Sequence, residues 1–345
     1  MNLMETMCER GHEKVLFVNN EKAGLKAIIA VHNTVRGPAI GGCRLWPYAS
    51  TEDALFDVMR LSRGMSHKNA AAGLNFGGGK AVIMADPSQK TEAMFEAFGE
   101  AVNALGGCYI TAEDVNTTCD DAIVMTRKTK YVCGLPAVSG DPSPFTAIGV
   151  WQGIKATAKV ALGTDDLNGV TIAVQGLGKV GYDLCRHLHK EGAKLIVANR
   201  SNKANLDRAA AEFGAKVVDA SEILSAQCDI LAPCALGAIV NPNTIPNFNC
   251  KAIAGAANNV ILDLAAGQAL KDRGILYAPD FIINAGGVIN AAGEAAGNYN
   301  EKEVLDKCYN IYNTVERILR ESQDTGRPEG EIAEQFAEDC IWGRA

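Results

Sequence analysis

Thr171-Ile-Ala-Val-Gln-Gly-Leu-Gly-Lys-Val-Gly181 is the stretch on which the fold turns. An apolar run leads directly into Gly-x-Gly-x-x-Gly, and a helical pattern follows. Gly176 permits the tight turn, Gly178 lets backbone approach a pyrophosphate, and Gly181 lets the helix pack close to the strand. Leu177, Lys179 and Val180 complete the loop, and the helix N-terminus behind it favours negative charge. A glycine turn with a purely structural role carries the same letters, so the flanks matter. Here a strand precedes and a helix follows, as a dinucleotide site requires.

Outward from that loop, strand and helix patterns alternate. The periodicity predicts strands at 170–175, 194–198, 229–232, 251–255 and 275–277, with helices at 179–191, 204–213 and 262–273. Apolar strands separated by helices pair in parallel through crossovers. A nicotinamide dinucleotide site usually carries an acid about 20 residues past the glycines, on the ribose 2′-hydroxyl. This chain has Asn199-Arg200-Ser201 there. An amide, a guanidinium and a hydroxyl suit a 2′-phosphate, so NADP is expected to be accepted as well as NAD. The plainer reading makes Arg200 a solvated loop charge with NAD still bound.

The N-terminal part reads as a second α/β unit. Strands are expected at 27–31, 80–85 and 109–115. One helix is expected at 50–64, capped by Ser50 or Thr51, with Leu55, Val58, Met59 and Ser62 on its face, and another at 91–105 with Met94, Phe95, Phe98 and Val102 inward. The breaker-rich run Gly134-Leu-Pro-Ala-Val-Ser-Gly-Asp-Pro-Ser-Pro144 marks a crossing, and Pro144 suits the first turn of a helix at 145–162. With 345 residues and roughly 100–200 per domain, two domains are expected. They are a substrate and oligomerisation domain at 1–140 and a Rossmann-type domain at 141–321, with helices at 322–345 packing back on the first.

The bulk numbers exclude several classes. Forty-eight per cent hydrophobic and 21% charged residues make a folded core rather than a disordered chain. A net charge of −7 argues against nucleic acid as partner. Eleven cysteines, an odd number without a C-x-x-C pair, read as reduced thiols in a cytoplasmic protein. The five histidines do not cluster, so no metal is expected. No apolar stretch reaches the roughly 18 residues of a membrane span, and Met1–Val15 contains no apolar signal core.

The chemical signal lies in Gly64-Met-Ser-His-Lys68-Asn-Ala-Ala-Ala-Gly-Leu-Asn-Phe-Gly77-Gly-Gly-Lys80. Two lysines flank a triple glycine read as a turn before a buried strand. A lysine at such a mouth is partly desolvated, which moves its pKa from ~10.4 toward the ~7–8 of a useful base. Lys68 is the expected cationic neighbour and a holder for a carboxylate. Tyr109-Ile-Thr-Ala-Glu-Asp114 then brings acids to a strand end, where α/β sites collect catalytic groups. Singly, each of these residues reads far more readily as a surface charge, and it is their combination with a dinucleotide site that points to chemistry.

Together with Gly37-Pro-Ala-Ile-Gly-Gly-Cys-Arg44, Gly140-Asp-Pro-Ser-Pro-Phe-Thr146, Pro233-Cys-Ala-Leu-Gly237, Gly255-Ala-Ala-Asn-Asn259 and Tyr277-Ala-Pro-Asp…Asn284-Ala-Gly-Gly287, these motifs carry a resemblance over residues 13–341. The sequence resembles the glutamate/leucine/phenylalanine/valine dehydrogenase family, most closely its leucine dehydrogenase branch. The resemblance implies reversible oxidative deamination of an L-amino acid to a 2-oxo acid and ammonia, with hydride transfer to NAD or NADP. By that resemblance Lys68 binds the substrate carboxylate, Lys80 activates water, and Asp114 exchanges protons with the amino group. Thr146, Cys234, Ala235, Asn258 and Asn284 match cofactor-binding positions.

Ile40, Gly41, Met65, Ala112, Val288 and Ala291 match the side-chain pocket. All are apolar or lack a side chain, which leaves a glutamate side chain unpaired and favours Leu, Val or Ile. Ala291 stands where the leucine branch usually has valine, and Ala292-Gly293-Glu294 where it reads Ala-Asp-Glu. Those smaller residues leave phenylalanine or tryptophan open as alternatives. Asn116 replaces a usual glycine, the crossing is shorter, and the chain stops about twenty residues early, which favours a dimer over a larger homo-oligomer. A different NADP-linked oxidoreductase and a non-catalytic nucleotide sensor are the remaining alternatives.

Overall fold

The protein is described from a computed structural model, which covers residues 3–235 and 237–344. It divides into two compact units. One contains residues 1–142, 288–301 and 337–345, and the other 143–287 and 302–336.

The first unit opens with α1 (Leu3–Arg10), β1 (Lys14–Asn20), β2 (Leu25–Asn33), β3 (Ala39–Ile40) and β4 (Cys43–Trp46). There follow α2 (Thr51–Ala71), β5 (Gly77–Met84), α3 (Glu92–Ala104), β6 (Tyr109–Ile110) and α4 (Cys119–Thr126). The sheet runs β1-β2-β5-β3-β6, with β4 also on β5. Strand β2 is antiparallel to β1 and β5, whereas β3 and β4 run parallel to β5.

Almost every residue of β2 is buried because both of its faces are covered. Ala27, Ile29 and Val31 join Phe95, Phe98 and Val102 of α3 in one core. Ile28 and Ala30 meet Ala54, Leu55, Val58 and Met59 of α2 in another. Alternate residues point to opposite faces, so one apolar strand serves two layers.

Two local expectations change. Helix α2 is capped by Ser50, which accepts from the Asp53 N–H, but it continues past residue 64 to Ala71. Gly64 is exposed and the alanines that follow favour helix, so Met65 and Lys68 sit on its last turns rather than in a loop. The triple glycine is not a turn but the first part of β5. A Cβ would lie 2.0 Å from the Asn33 oxygen at Gly77, 2.1 Å from the Ser66 nitrogen at Gly78 and 2.6 Å from Tyr109 Cδ2 at Gly79. The strand is pressed so tightly on its neighbours that no side chain fits.

The expected strand at 109–115 also stops early, at Ile110, after which Thr111 bridges to Val132. Asp114 lies on a turn closed by Thr117 N–H to Asp114 O at 3.0 Å, with Asn116 at φ 58°.

The second unit begins with α5 (Ser143–Leu162), which starts at the expected Ser143-Pro144. Then come β7 (Thr171–Gln175), α6 (Lys179–Lys190), β8 (Lys194–Ala198), α7 (Lys203–Phe213), β9 (Lys216–Val217), β10 (Ile230–Pro233) and β11 (Ala252–Ile253). They are followed by α8 (Leu264–Asp272), β12 (Leu276–Tyr277) and α9 (Asp280–Ile283). The sheet order is β12-β11-β10-β7-β8-β9 and every pairing is parallel. Connections reverse direction between β7 and β10, which is the switch point of a Rossmann-type fold.

The chain ends in α10 (Gly286–Ala295), α11 (Glu301–Thr325) and α12 (Glu329–Ile341). The expected return of 322–345 to the first unit applies only to 337–345, and 288–301 belongs there as well. Residues 302–336 stay with the second unit because α11 packs on α5. At Gly149 a Cβ would stand 2.7 Å from Ile311 Cδ1, and Lys271 donates to Ser322 Oγ at 2.7 Å. The last residues are held in the first unit by Glu338, 2.8 Å from His67 Nε2, and by Arg36, which donates to Cys340 O at 2.8 Å. Among the described residues, no helix is long and apolar enough to cross a membrane.

Candidate active site

Strand β5 carries Lys80 immediately after its glycines, with 7% of its side chain exposed. Its Nζ stands 3.1 Å from Asp114 Oδ2. The same oxygen accepts from Arg44 Nε of β4 at 3.2 Å. Arg44 Nη1 continues to Asp57 Oδ2 of α2 at 2.9 Å, and Tyr48 donates its hydroxyl to that oxygen at 2.7 Å. The result is an alternating row, Lys80–Asp114–Arg44–Asp57, built from β5, a turn, β4 and α2.

Local packing explains why the row forms. At Gly42 a Cβ would lie 2.8 Å from Asp114 Cβ, so only glycine admits the carboxylate. The Asp114 N–H donates to Thr117 Oγ1 at 2.7 Å, and that hydroxyl donates to Cys43 O at 2.7 Å, which fixes the turn against β4. Burial presses the Asp114 carboxyl upward, but the charges of Lys80 and Arg44 and the Lys80 hydrogen bond outweigh it and hold the group below its ordinary range. Asp114 is therefore an ionised acceptor near neutral pH. Lys80 thus meets a carboxylate that the sequence reading had not placed beside it.

Of the pocket candidates, Gly41 and Met65 meet at the break between β3 and β4. At Gly41 a Cβ would stand 1.9 Å from Gly79 O and 3.2 Å from Met65 Cγ. Ile40 is buried, and the Ala112 oxygen accepts from Cys43 N–H at 2.8 Å. Lys68 is half-buried three residues beyond Met65 on α2. Val288 and Ala291 are half-buried on α10, three residues apart.

That helix carries residues the sequence reading passed over. Glu294 accepts from the Gly134 N–H at 2.9 Å, the Leu135 N–H at 3.1 Å and the Ser139 hydroxyl. Asn290 donates to Ser139 O at 3.0 Å. The breaker-rich segment is thus tied down by side chains 150 residues away, a pairing that no local pattern announces. Glu294→Gln turns an amide toward backbone donors and is expected to cost about 1–3 kcal/mol. A lower urea midpoint at unchanged m value is the expected observation, and an unchanged midpoint would count against this anchor.

In the second unit the glycine loop joins β7 to α6. Gly176 has φ 96°, and a Cβ there would come within 2.6 Å of Ala235 Cβ. At Gly181 a Cβ would lie 2.0 Å from Gly176 O and 3.2 Å from Cys234 Cβ, so loop, helix and the Cys234–Ala235 segment are mutually close-packed. A Cβ at Gly178 would meet nothing within 4 Å. Gly178 is also the N-cap of α6, and no side chain caps it. Open space in front of an uncapped helix N-terminus fits a pyrophosphate.

Other candidates fall around this loop with mixed roles. Asn199 Oδ1 accepts from the Leu177 N–H at 3.4 Å, so its amide holds the glycine loop in place. Arg200 and Ser201 are exposed. Asn284 donates to Asn258 Oδ1 at 2.8 Å and to Ala256 O at 3.1 Å. Thr146 lies in the first turn of α5, where a Cβ on Gly286 would stand 2.8 Å from its nitrogen. All candidates for substrate and catalysis lie in the first unit, and all cofactor candidates lie in the second.

Two family models match the chain. Residues 12–131 match the Glu/Leu/Phe/Val dehydrogenase dimerisation domain, and residues 194–335 match the Glutamate/Leucine/Phenylalanine/Valine dehydrogenase domain. The chain belongs to this dehydrogenase family. It is 52% identical to leucine dehydrogenase of Bacillus subtilis (strain 168), over 99% of this chain and 94% of that protein. It is 50% identical to leucine dehydrogenase of Thermoactinomyces intermedius, with the same two coverages. Among solved structures, L-tryptophan dehydrogenase from Nostoc punctiforme superposes with a TM-score of 0.89 at 43% identity, covering 99% of both chains. The dehydrogenase therefore resembles enzymes whose names carry side chains of quite different size.

Proposed function

We propose that this amino-acid dehydrogenase deaminates a branched-chain L-amino acid, leucine, valine or isoleucine, to its 2-oxo acid and ammonia. The observation that carries the reading is the buried Lys80–Asp114 pair beside the close-packed Gly41–Met65 corner. Lys68 pairs with the substrate carboxylate. Asp114, kept ionised by Lys80 and Arg44, takes a proton from the substrate ammonium. A nicotinamide cofactor held by the Gly176–Gly181 loop would supply the acceptor for the hydride leaving Cα. Lys80 then orients and activates the water that adds to the imino carbon, and Asp114 returns a proton to the departing nitrogen.

The pocket decides the substrate. Ile40, Gly41, Met65, Ala112, Val288 and Ala291 offer no charge to a glutamate side chain. Ala291 and Gly293 favour a second reading, in which the extra room admits phenylalanine or tryptophan. Initial rates with each hydrophobic L-amino acid separate the two. The branched-chain reading expects leucine, valine or isoleucine to exceed phenylalanine and tryptophan in kcat/KM. The reverse order assigns the space beside Ala291 to an aromatic ring, and absence of turnover on all five removes both readings.

NADP is proposed to be accepted alongside NAD. Arg200 is exposed and, among the described residues, has no hydrogen bond or ion pair that would compete with a 2′-phosphate. Arg200→Ala is expected to lower kcat/KM for NADP about tenfold or more and to change that for NAD less than twofold. A wild-type enzyme that uses NAD alone would defeat this assignment. The match of residues 12–131 to a dimerisation domain supports a homo-oligomer of at least two chains, which we place in the cytoplasm with its metabolite substrates.

A further inference from the structure

The two thiols of Cys228 and Cys250 lie outside everything described so far. They stand two residues before Ile230 and Ala252, which are register partners at the starts of β10 and β11. Backbone bonds carry the pairing down to them, from Cys228 N–H to Asn249 O at 3.1 Å and from Lys251 N–H to Asp229 O at 2.9 Å. Adjacent strands lie about 4.8 Å apart, inside the roughly 4.4–6.8 Å between Cα atoms that a disulfide spans. The two thiols lie close enough to shift each other in opposite directions.

Their surroundings differ in a useful way. Cys228 is buried in the core of the second unit, whereas Cys250 is half-buried at its edge. The contact with Cys228 pulls the Cys250 thiol down, and the Arg273 charge helps, against its burial. That same contact, with burial, pushes Cys228 up. By contrast burial pushes the Cys308 thiol up to about 12, and the Cys234 thiol likewise to about 12 against a backbone hydrogen bond at Ala256.

We propose that Cys228 and Cys250 form a reversible oxidation site, which closes to an intramolecular disulfide when the oxidant is a peroxide. The Cys250 thiolate attacks one peroxide oxygen, the O–O bond breaks, and hydroxide leaves and takes up a proton as water. The resulting sulfenic acid is attacked by the Cys228 sulfur. The S–S bond forms, the S–O bond breaks, and the oxygen departs with the Cys228 proton as a second water. Two thiols are oxidised and one peroxide is reduced to two waters. A thiol reductant restores both groups by exchange. The pair sits at the amino ends of β10 and β11, whereas Cys234 and Ala235 of the cofactor loop follow the carboxyl end of β10.

The test uses the full-length enzyme with hydrogen peroxide at graded stoichiometry. Remaining thiols are then alkylated and the chain is cut before aspartates, which separates Cys228 from Cys250 at Asp229. The expected result is a cross-linked peptide pair about 2 Da lighter than its reduced parts, resolved again by dithiothreitol. C228S and C250S are expected to lose this product and to keep basal activity. Recovery of both residues as alkylated thiols at peroxide levels that oxidise exposed Cys8 would overturn the proposal. So would their separate conversion to sulfinic acids without a cross-link.

Discussion

Lys80→Ala is expected to lower kcat by about 10³- to 10⁴-fold while changing the KM of the amino acid only a few-fold. The residue is buried and its Nζ meets Asp114 at 3.1 Å, so its loss removes both the group proposed to activate water and a partner of the acid. Substrate binding is proposed to rest on Lys68 and the apolar pocket, which the substitution leaves in place. The pH response gives an independent reading. Because the Asp114 carboxyl is held below its ordinary range in the folded enzyme, it contributes stability at pH values above the ordinary carboxylate pKa. That contribution fades as pH falls toward the folded value. Without Lys80, the Arg44 charge and the Val115 N–H alone oppose the burial that raises the group, so the variant should begin to lose stability at a higher pH than the wild type. Urea midpoints taken across the acid range, together with steady-state rates, check both halves. Activity within tenfold of wild type would remove Lys80 from the chemistry.

How much of this was legible in the sequence varies with how local the cause is. The strand at 194–198 emerged with the expected bounds, and the helix after the glycine loop starts at Lys179 as expected. In both, hydrophobic period and turn residues point the same way. The Rossmann-type order follows from alternation and parallel crossovers, so it too could be read. The Lys80–Asp114 contact could not. Neither residue is special by itself, and their meeting depends on Gly42 leaving space for a carboxylate. Arg44 and Asp57 were missed for a related reason, since an ion-pair row spread over β4, a turn and α2 has no period. Asn199 shows the converse. It was read as part of a phosphate clamp, but its amide supports the Leu177 N–H. The carboxylate of Glu294 likewise reaches back 155 residues to Ser139, farther than any local rule extends.

The triple glycine is the place where sequence reading and structure differ most, and it yields the second large prediction. Gly78→Ala is expected to destabilise the enzyme by at least ~3 kcal/mol, through overpacking of a site that has no slack. The added Cβ would lie 2.1 Å from the Ser66 nitrogen, 2.3 Å from Ser66 Oγ and 2.6 Å from Ser62 O. Two of these atoms belong to helical backbone. The third is a buried hydroxyl hydrogen-bonded to His32 Nδ1 at 2.8 Å, so it is not the end of a flexible chain that can swing away. Strand and helix must separate instead. Fourteen residues earlier the same change should act in the opposite direction. At Gly64 a Cβ meets nothing within 4 Å, and Gly64→Ala in an exposed helical turn should stabilise by about 0.5–1 kcal/mol. Urea denaturation of the two variants side by side distinguishes a clash at β5 from a general intolerance of this segment. A Gly78→Ala enzyme within 1 kcal/mol of wild type would mean that the strand has room to move. The tight contact also has a functional reading. Helix α2 carries Lys68 and β5 carries Lys80, so any separation of the two elements displaces the group proposed to hold the substrate carboxylate from the group proposed to activate water. A soluble Gly78→Ala enzyme should therefore lose kcat/KM well beyond its loss of folded fraction.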